Sequence, residues 1–93
     1  MIVSFASADT KKLWESGKSR ELPSEIWKRA WMKLALINAS TSLQDLKVPP
    51  ANHLEALKGD RKGQFSIRIN QKYRVCFVWK DNNAHDVEIV DYH

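Results

Sequence analysis

The chain changes hydrophobic period once. Before Pro49 apolar residues mostly recur every three or four positions, and after Pro50 they recur every second position. Helices are therefore predicted first and strands second. Residues 2–5 form a short strand candidate in which Val3 and Phe5 alternate with Ser4. Ser7 or Asp9 offers an N-cap for a helix running to about Ser16, and Gly17 stands where a C-cap glycine belongs. Leu13 and Trp14 are its expected buried side chains. The second helix follows Pro23, with Ser24 as cap, and ends in the polar cluster 38–42. Ile26, Ala30, Leu34 and Ile37 draw its core stripe, flanked by Trp27 and Trp31, while Lys28, Arg29 and Lys33 cover the other side. At this spacing a tryptophan pair is more often core than a base-stacking platform, and one ring at the surface for a protein partner is the third reading.

Pro49 and Pro50 exclude a long helix in the connector, leaving room for one turn at residues 43–46. Residues 53–57, 64–70, 73–80 and 85–90 then read as four strands joined by short links. Short links mean hairpins and an antiparallel meander. The predicted fold is α+β: a short N-terminal strand, two helices, then a four-stranded meander with the helices packed on one face. Residues 1–93 are expected to form a single domain, since two parts would each lack a core.

Parity fixes the register of the central hairpin. Phe65, Ile67 and Ile69 must share a face with Tyr73, Val75, Phe77 and Trp79. Pairing Ile69 with Tyr73, Ile67 with Val75 and Phe65 with Phe77 achieves this with a three-residue loop, and a one-residue slip would put one apolar set in water. The same register sets Arg68 opposite Arg74 on the other face, beside Ser66, Asn70 and Cys76, and Tyr92 if the last strand is unbroken. Like charges directly opposite cost a few tenths to about 1 kcal/mol. The face is expected to be open and basic, with either an anion between the two guanidiniums or the side chains splayed into solvent.

Charge sharpens this picture. The net charge is +4, and between His53 and Arg74 there are six basic residues (Lys58, Arg61, Lys62, Arg68, Lys72, Arg74) against Glu55 and Asp60. The surplus in this window equals that of the whole chain. It points to a polyanion or an acidic partner there, against the plainer reading of a solvated sheet edge. With 43% hydrophobic and 28% charged residues, the composition is that of a globular chain. No apolar run is long enough for a membrane span, the start lacks the order of a signal peptide, and the lone Cys76 suits a reducing compartment, so a cytoplasmic protein without membrane partners is expected. His53, His85, His93 and Cys76 show no metal-ligand spacing, and neither metal nor cofactor is expected. Cys76 reads as structural and His85 as a surface residue. Lys58 to Gly63 reads as a glycine-containing turn, since no helix follows to make it a phosphate loop.

The stretch LEALKGDRKGQFSIRINQKYRVCFVW, the ending VEIVDYH, the opening IVSFASADTKKLWESGK and the helix LPSEIWKRAWMKLALINAS together resemble the HigB toxins, within the RelE/ParE-like toxins of bacterial type II toxin–antitoxin pairs. The likeness spans essentially the whole chain. It implies a RelE-like α+β toxin that enters the ribosomal A site and cleaves mRNA. It also implies a HigA-type helix-turn-helix antitoxin as partner, with operator DNA bound only through the complex. By motif it carries over Lys58 and Arg61 in LKGDRKG, Arg68 in SIRIN, Arg74 in YRVCF, and Asp91, Tyr92 and His93 in DYH. Some relatives have a site histidine in the strand before LKGDR; the aligned position here is Glu55, with His53 two residues earlier, and alternation would keep both on one strand face.

The chemistry is consistent with these residues. RNA cleaves itself when a 2′-hydroxyl attacks the adjacent phosphate, which needs a base, an acid for the leaving 5′-oxygen, and cations for the phosphorane charge. His93, Tyr92, Asp91 and Glu55 are the proton-transfer and orienting candidates. Arg68 and Arg74 are the phosphate stabilisers, and Lys58, Arg61, Lys62, Lys72 and His53 the RNA-binding set. Two alternatives remain open: a ParE-like toxin that binds DNA gyrase, and a weakened toxin acting mainly as an antitoxin-binding module.

Overall fold

The computed structural model describes residues 1–91. Helix α1 spans Ala8–Ser16 and α2 spans Trp27–Ala39. The strands are β1 Glu55–Ala56, β2 Gln64–Arg68, β3 Tyr73–Lys80 and β4 Asn83–Asp91, in the order β1-β2-β3-β4 with every pair antiparallel. Short 3₁₀ turns at Ser24–Ile26, Leu43–Lys47, Pro50–Asn52 and Gly59–Arg61 join the larger elements. The α+β expectation, with the meander and the helices on one face, is the fold observed.

Local chemistry explains the helix ends. The Ser7 hydroxyl accepts from the Thr10 N–H at 3.2 Å, and Gly17 closes α1 at φ 77° with its N–H on the Leu13 carbonyl at 2.8 Å. The loop after α1 is tied back by Asp9, which accepts from the Ser19 hydroxyl and the Arg20 N–H. The 3₁₀ turn Ser24–Ile26 leads into α2, so Ser24 does not cap that helix as expected, and the predicted stripe of Ile26, Ala30, Leu34 and Ile37 is buried against Ile67, Val75, Phe77 and Val87 of the sheet. The tryptophans join the two helices: Trp14 and Trp31 stack at 5.3 Å between centroids, and the Trp31 Nε1–H donates to the Trp14 carbonyl. Leu13 is fully buried in the core, and Trp14, partly buried, packs against it.

Four other boundaries differ from the sequence expectation. The N-terminal segment makes only two separate parallel bridges to β4, Ile2 with Ala84 and Phe5 with Val87. Ile2 and Phe5 face the core while Val3 is 53% exposed. The cause is a bulge in β4: Cys76 pairs with Glu88 but Val78 pairs with His85, and Asp86 takes φ 51°. One extra residue lets Ala84 and Val87 both face inward and breaks simple alternation in the neighbouring segment. Strand β4 starts at Asn83, because Asp81 and Asn82 both adopt positive φ and close a two-residue hairpin turn. Strand β2 ends at Arg68, where the Asn70 side chain takes over by accepting from the Lys72 and Tyr73 N–H groups. Strand β1 is only two residues long. His53 precedes it in the left-handed region at φ 45°, so His53 and Glu55 do not alternate along one strand.

Candidate RNA-cleaving face

The strand pairing builds the site. Glu55, Ser66, Cys76 and Glu88 are paired in sequence across β1, β2, β3 and β4, forming one row on the face away from the helices. The next row is Arg68, Arg74 and Val90. Arg68 thus stands directly opposite Arg74, as parity predicts. The two guanidiniums are led apart along β2. Arg74 Nε donates to the Ser66 hydroxyl at 2.7 Å, whereas Arg68 Nε donates to the Asn70 carbonyl at 3.1 Å in the hairpin turn. Arg74 Nη2 also donates to the carbonyls of His53 and Ser66.

This corrects the expectation of an open face. Arg74 is 8% exposed, and Ser66 and Cys76 are fully buried. The turn ending at His53 comes close enough for its carbonyl to take a guanidinium N–H, so the arginine is part of the structure as well as a source of charge. Arg68 is only partly buried, and no carboxylate pairs with it among the described residues.

Arg61 leaves the Gly59–Arg61 turn and binds Glu88 Oε1 at 2.8 Å and Gln64 Oε1 at 3.1 Å. Its guanidinium therefore braces β2 against β4 and is only partly available to RNA. The bond to Glu88 holds the Arg61 pKa above its usual value. Burial pushes the Cys76 thiol up; Arg61 and Arg74 pull it back and Glu88 and Glu55 push it further, with a net rise. A buried, protonated thiol is a poor nucleophile, in keeping with a structural cysteine. Sequence reasoning missed Glu88, although its place between Val87 and Ile89 already put it on this face.

The other candidates are spread around this centre. Lys58, Lys62, His53 and Glu55 are exposed on the β1 side. Lys72 lies at the hairpin turn, 3.7 Å from Asp91. Asp91 pairs with Tyr73, a residue whose ring packs against the core cluster, so Asp91 belongs to the helix-side row and not to the arginine row. Tyr92 and His93 lie outside the described residues. Among the described residues no group of three or more His, Cys, Asp or Glu side chains could hold a metal ion.

Residues 3–93 match the family model described as "RelE-like toxin of type II toxin-antitoxin system HigB". The chain belongs to the HigB-like toxins. It is 36% identical over 85 residues to Toxin HigB-1 of Vibrio cholerae, covering 90% of both chains. It is 31% identical over 93 residues, the full length of both, to Endoribonuclease HigB of Proteus vulgaris. The HigB-like fold also resembles the solved YoeB–YefM toxin–antitoxin heterotetramer of Staphylococcus aureus, with a TM-score of 0.62 at 18% identity over 100% of this chain and 98% of that one. YafQ of E. coli superposes with a TM-score of 0.59 at 14% identity, covering 98% and 93%. As a type II toxin this HigB-like protein has an antitoxin as partner. Among the described residues no helix is long and apolar enough to cross a membrane.

Proposed function

We propose that this toxin is an endoribonuclease that cleaves translated mRNA in the ribosomal A site of the cytoplasm and is silenced by a HigA-type antitoxin. The observation that carries the reading is the Arg68–Arg74 pair, in cross-strand register beside the β2–β3 turn on a basic polar face, in a chain 31% identical to an endoribonuclease. Arg68, with no carboxylate partner among the described residues, and Arg74, fixed by Ser66 and the His53 carbonyl, hold the scissile phosphate. The 2′-oxygen bonds to phosphorus as a base takes its proton. The bond from phosphorus to the 5′-oxygen breaks as an acid protonates that oxygen. The upstream fragment keeps a 2′,3′-cyclic phosphate and the downstream one a 5′-hydroxyl. No metal ion is needed in this scheme, because the arginines stabilise the charge that develops on the phosphorane.

His93 is the leading acid or base, with Tyr92 orienting substrate and Glu55 or His53 as alternative proton carriers on the β1 side. Asp91 is held toward Lys72 and shapes the end of β4. Lys58, Lys62, Lys72 and, in part, Arg61 bind backbone phosphates. A chain with so few proton-transfer groups relies on the ribosome to place the mRNA. Induced expression followed by mapping of mRNA 5′ ends tests the proposal. Cuts inside translated frames bearing 5′-hydroxyls are expected; 5′-phosphate ends would remove the 2′-hydroxyl mechanism, and intact mRNA with broken DNA would favour gyrase as the target.

A further inference from the structure

Beside the arginine row lies a pocket of about 440 Å³ between α2, the turn ending at Asn52, and the β2–β3 hairpin. Its polar lining is Arg29, Lys33, His53, Arg68, Asn70 and Gln71, with no carboxylate. Arg29 and Lys33 are one helical turn apart on α2, a like-charge spacing that disfavours the bare helix. Lys33 is set in place: its ammonium donates to Asn52 Oδ1, and the Asn52 side chain is fully buried, donating in turn to the carbonyls of Leu46 and Val48. Burial, and then Arg29, lower the Lys33 pKa. Arg68 enters from the sheet side with only its Nε engaged among the described residues. Three cations thus surround one concavity with no acidic counterpart, a costly arrangement that an anion would relieve.

We propose that this pocket is a second phosphate site, in which Arg29 and Lys33 join Arg68 around a neighbouring phosphate of the RNA backbone. The site rests on the ribonuclease reading and extends it: RNA runs from the sheet's polar face, past the β2–β3 turn, onto α2. An RNA phosphate fits better than an acidic protein segment. The pocket offers cations from two directions, while its apolar lining, Ala51 and the buried Ile69, gives a protein side chain no anchor. Arg29 and Lys33 are cations that a solvated helix face would equally carry, and only their convergence with Arg68 singles them out.

The test is binding of full-length toxin to ribosomes programmed with a short mRNA, across a potassium chloride titration. The Arg29→Gln/Lys33→Gln variant is expected to bind roughly tenfold more weakly at low salt and to lose about one from the slope of log affinity against log salt. Arg29→Lys/Lys33→Arg is expected to restore both. Since Lys33 touches Asn52, Arg29→Gln alone provides a variant with no packing role, and it is expected to show part of the same change. Wild-type affinity and slope in the glutamine variants would overturn the site while leaving mRNA cleavage by the wild type untouched. An unchanged slope with weakened antitoxin binding would overturn it in favour of an acidic protein partner. Absence of mRNA cleavage by the wild type is a separate result that removes the function on which the site depends.

Discussion

The two faces of the sheet each bury their central residues and are held by different forces. Toward the helices, Ile67, Val75 and Phe77 are fully buried among apolar neighbours. Away from them, Ser66, Cys76 and Arg74 are buried nearly as completely, but under hydrogen bonds from a guanidinium and beside the Arg61–Glu88 ion pair. An apolar contact depends on volume and tolerates a swap of similar shape at under about 1.5 kcal/mol. A buried charged donor depends on its acceptors, and losing it leaves them unsatisfied. Stability and chemistry are therefore separable on the helix side and partly fused on the polar side. Within the polar side Arg74 carries both, whereas Arg68, at the rim, carries mainly chemistry.

The sharpest break in this comparison is Phe77→Ala. It removes the largest fully buried side chain of the core and is expected to cost about 3–5 kcal/mol. Denaturant titration should show this, with any loss of cleavage following the fraction unfolded. Removing residues 91–93 should do the opposite. Val87 and Ile89 keep β4 in place, so antitoxin binding and a cooperative melt persist, while cleavage falls by about 10²–10⁴ with the acid or base. If toxicity survives that deletion, Glu55 or His53 carries the proton.

Arg74→Ala should lie between these two. Loss of its bonds to Ser66 and His53 is expected to destabilise the fold by about 1.5–3 kcal/mol, and cleavage should fall further than unfolding explains. A variant as stable as the parent would show that the polar side is not held as described.

The smallest effect is acid sensitivity away from both faces. The Thr41 and Ser42 N–H groups hold the Asp45 carboxyl below its usual range. Burial alone would raise Asp9, but bonds from the Ser19 hydroxyl and the Arg20 N–H outweigh it and also leave it depressed. A depressed folded pKa gives stability that is present above the unfolded value near 3.9 and is lost as pH falls through the folded one. Melting temperature should therefore drop below about pH 4, and less so in Asp9→Asn and Asp45→Asn, as acid titration by circular dichroism would show.

The helix side was the more legible in the sequence. Ile26, Ala30, Leu34 and Ile37, and the pairing of Phe65 with Phe77 and Ile67 with Val75, follow from period and parity alone. Parity also set Arg68 against Arg74. It could not say that the turn ending at His53 would fold over the second arginine, because that depends on contacts between segments 21 residues apart. The bulge at Asp86 likewise has no glycine to mark it, and it shifted the expected faces of the N-terminal segment. Arg29 and Lys33 read as solvated helix positions because their convergence with Arg68 is tertiary.

The most direct test of the central claim, that the polar face performs RNA chemistry, is the single-turnover cleavage rate of Arg68→Ala on mRNA-programmed ribosomes, with melting measured on the same protein. Arg68 makes one hydrogen bond to a turn carbonyl, so stability should change by no more than about 1 kcal/mol. The loss of a preorganised cation at the developing phosphorane should slow cleavage by about 10²–10³. Cleavage at the parent rate by a folded Arg68→Ala protein would place the chemistry elsewhere on the molecule.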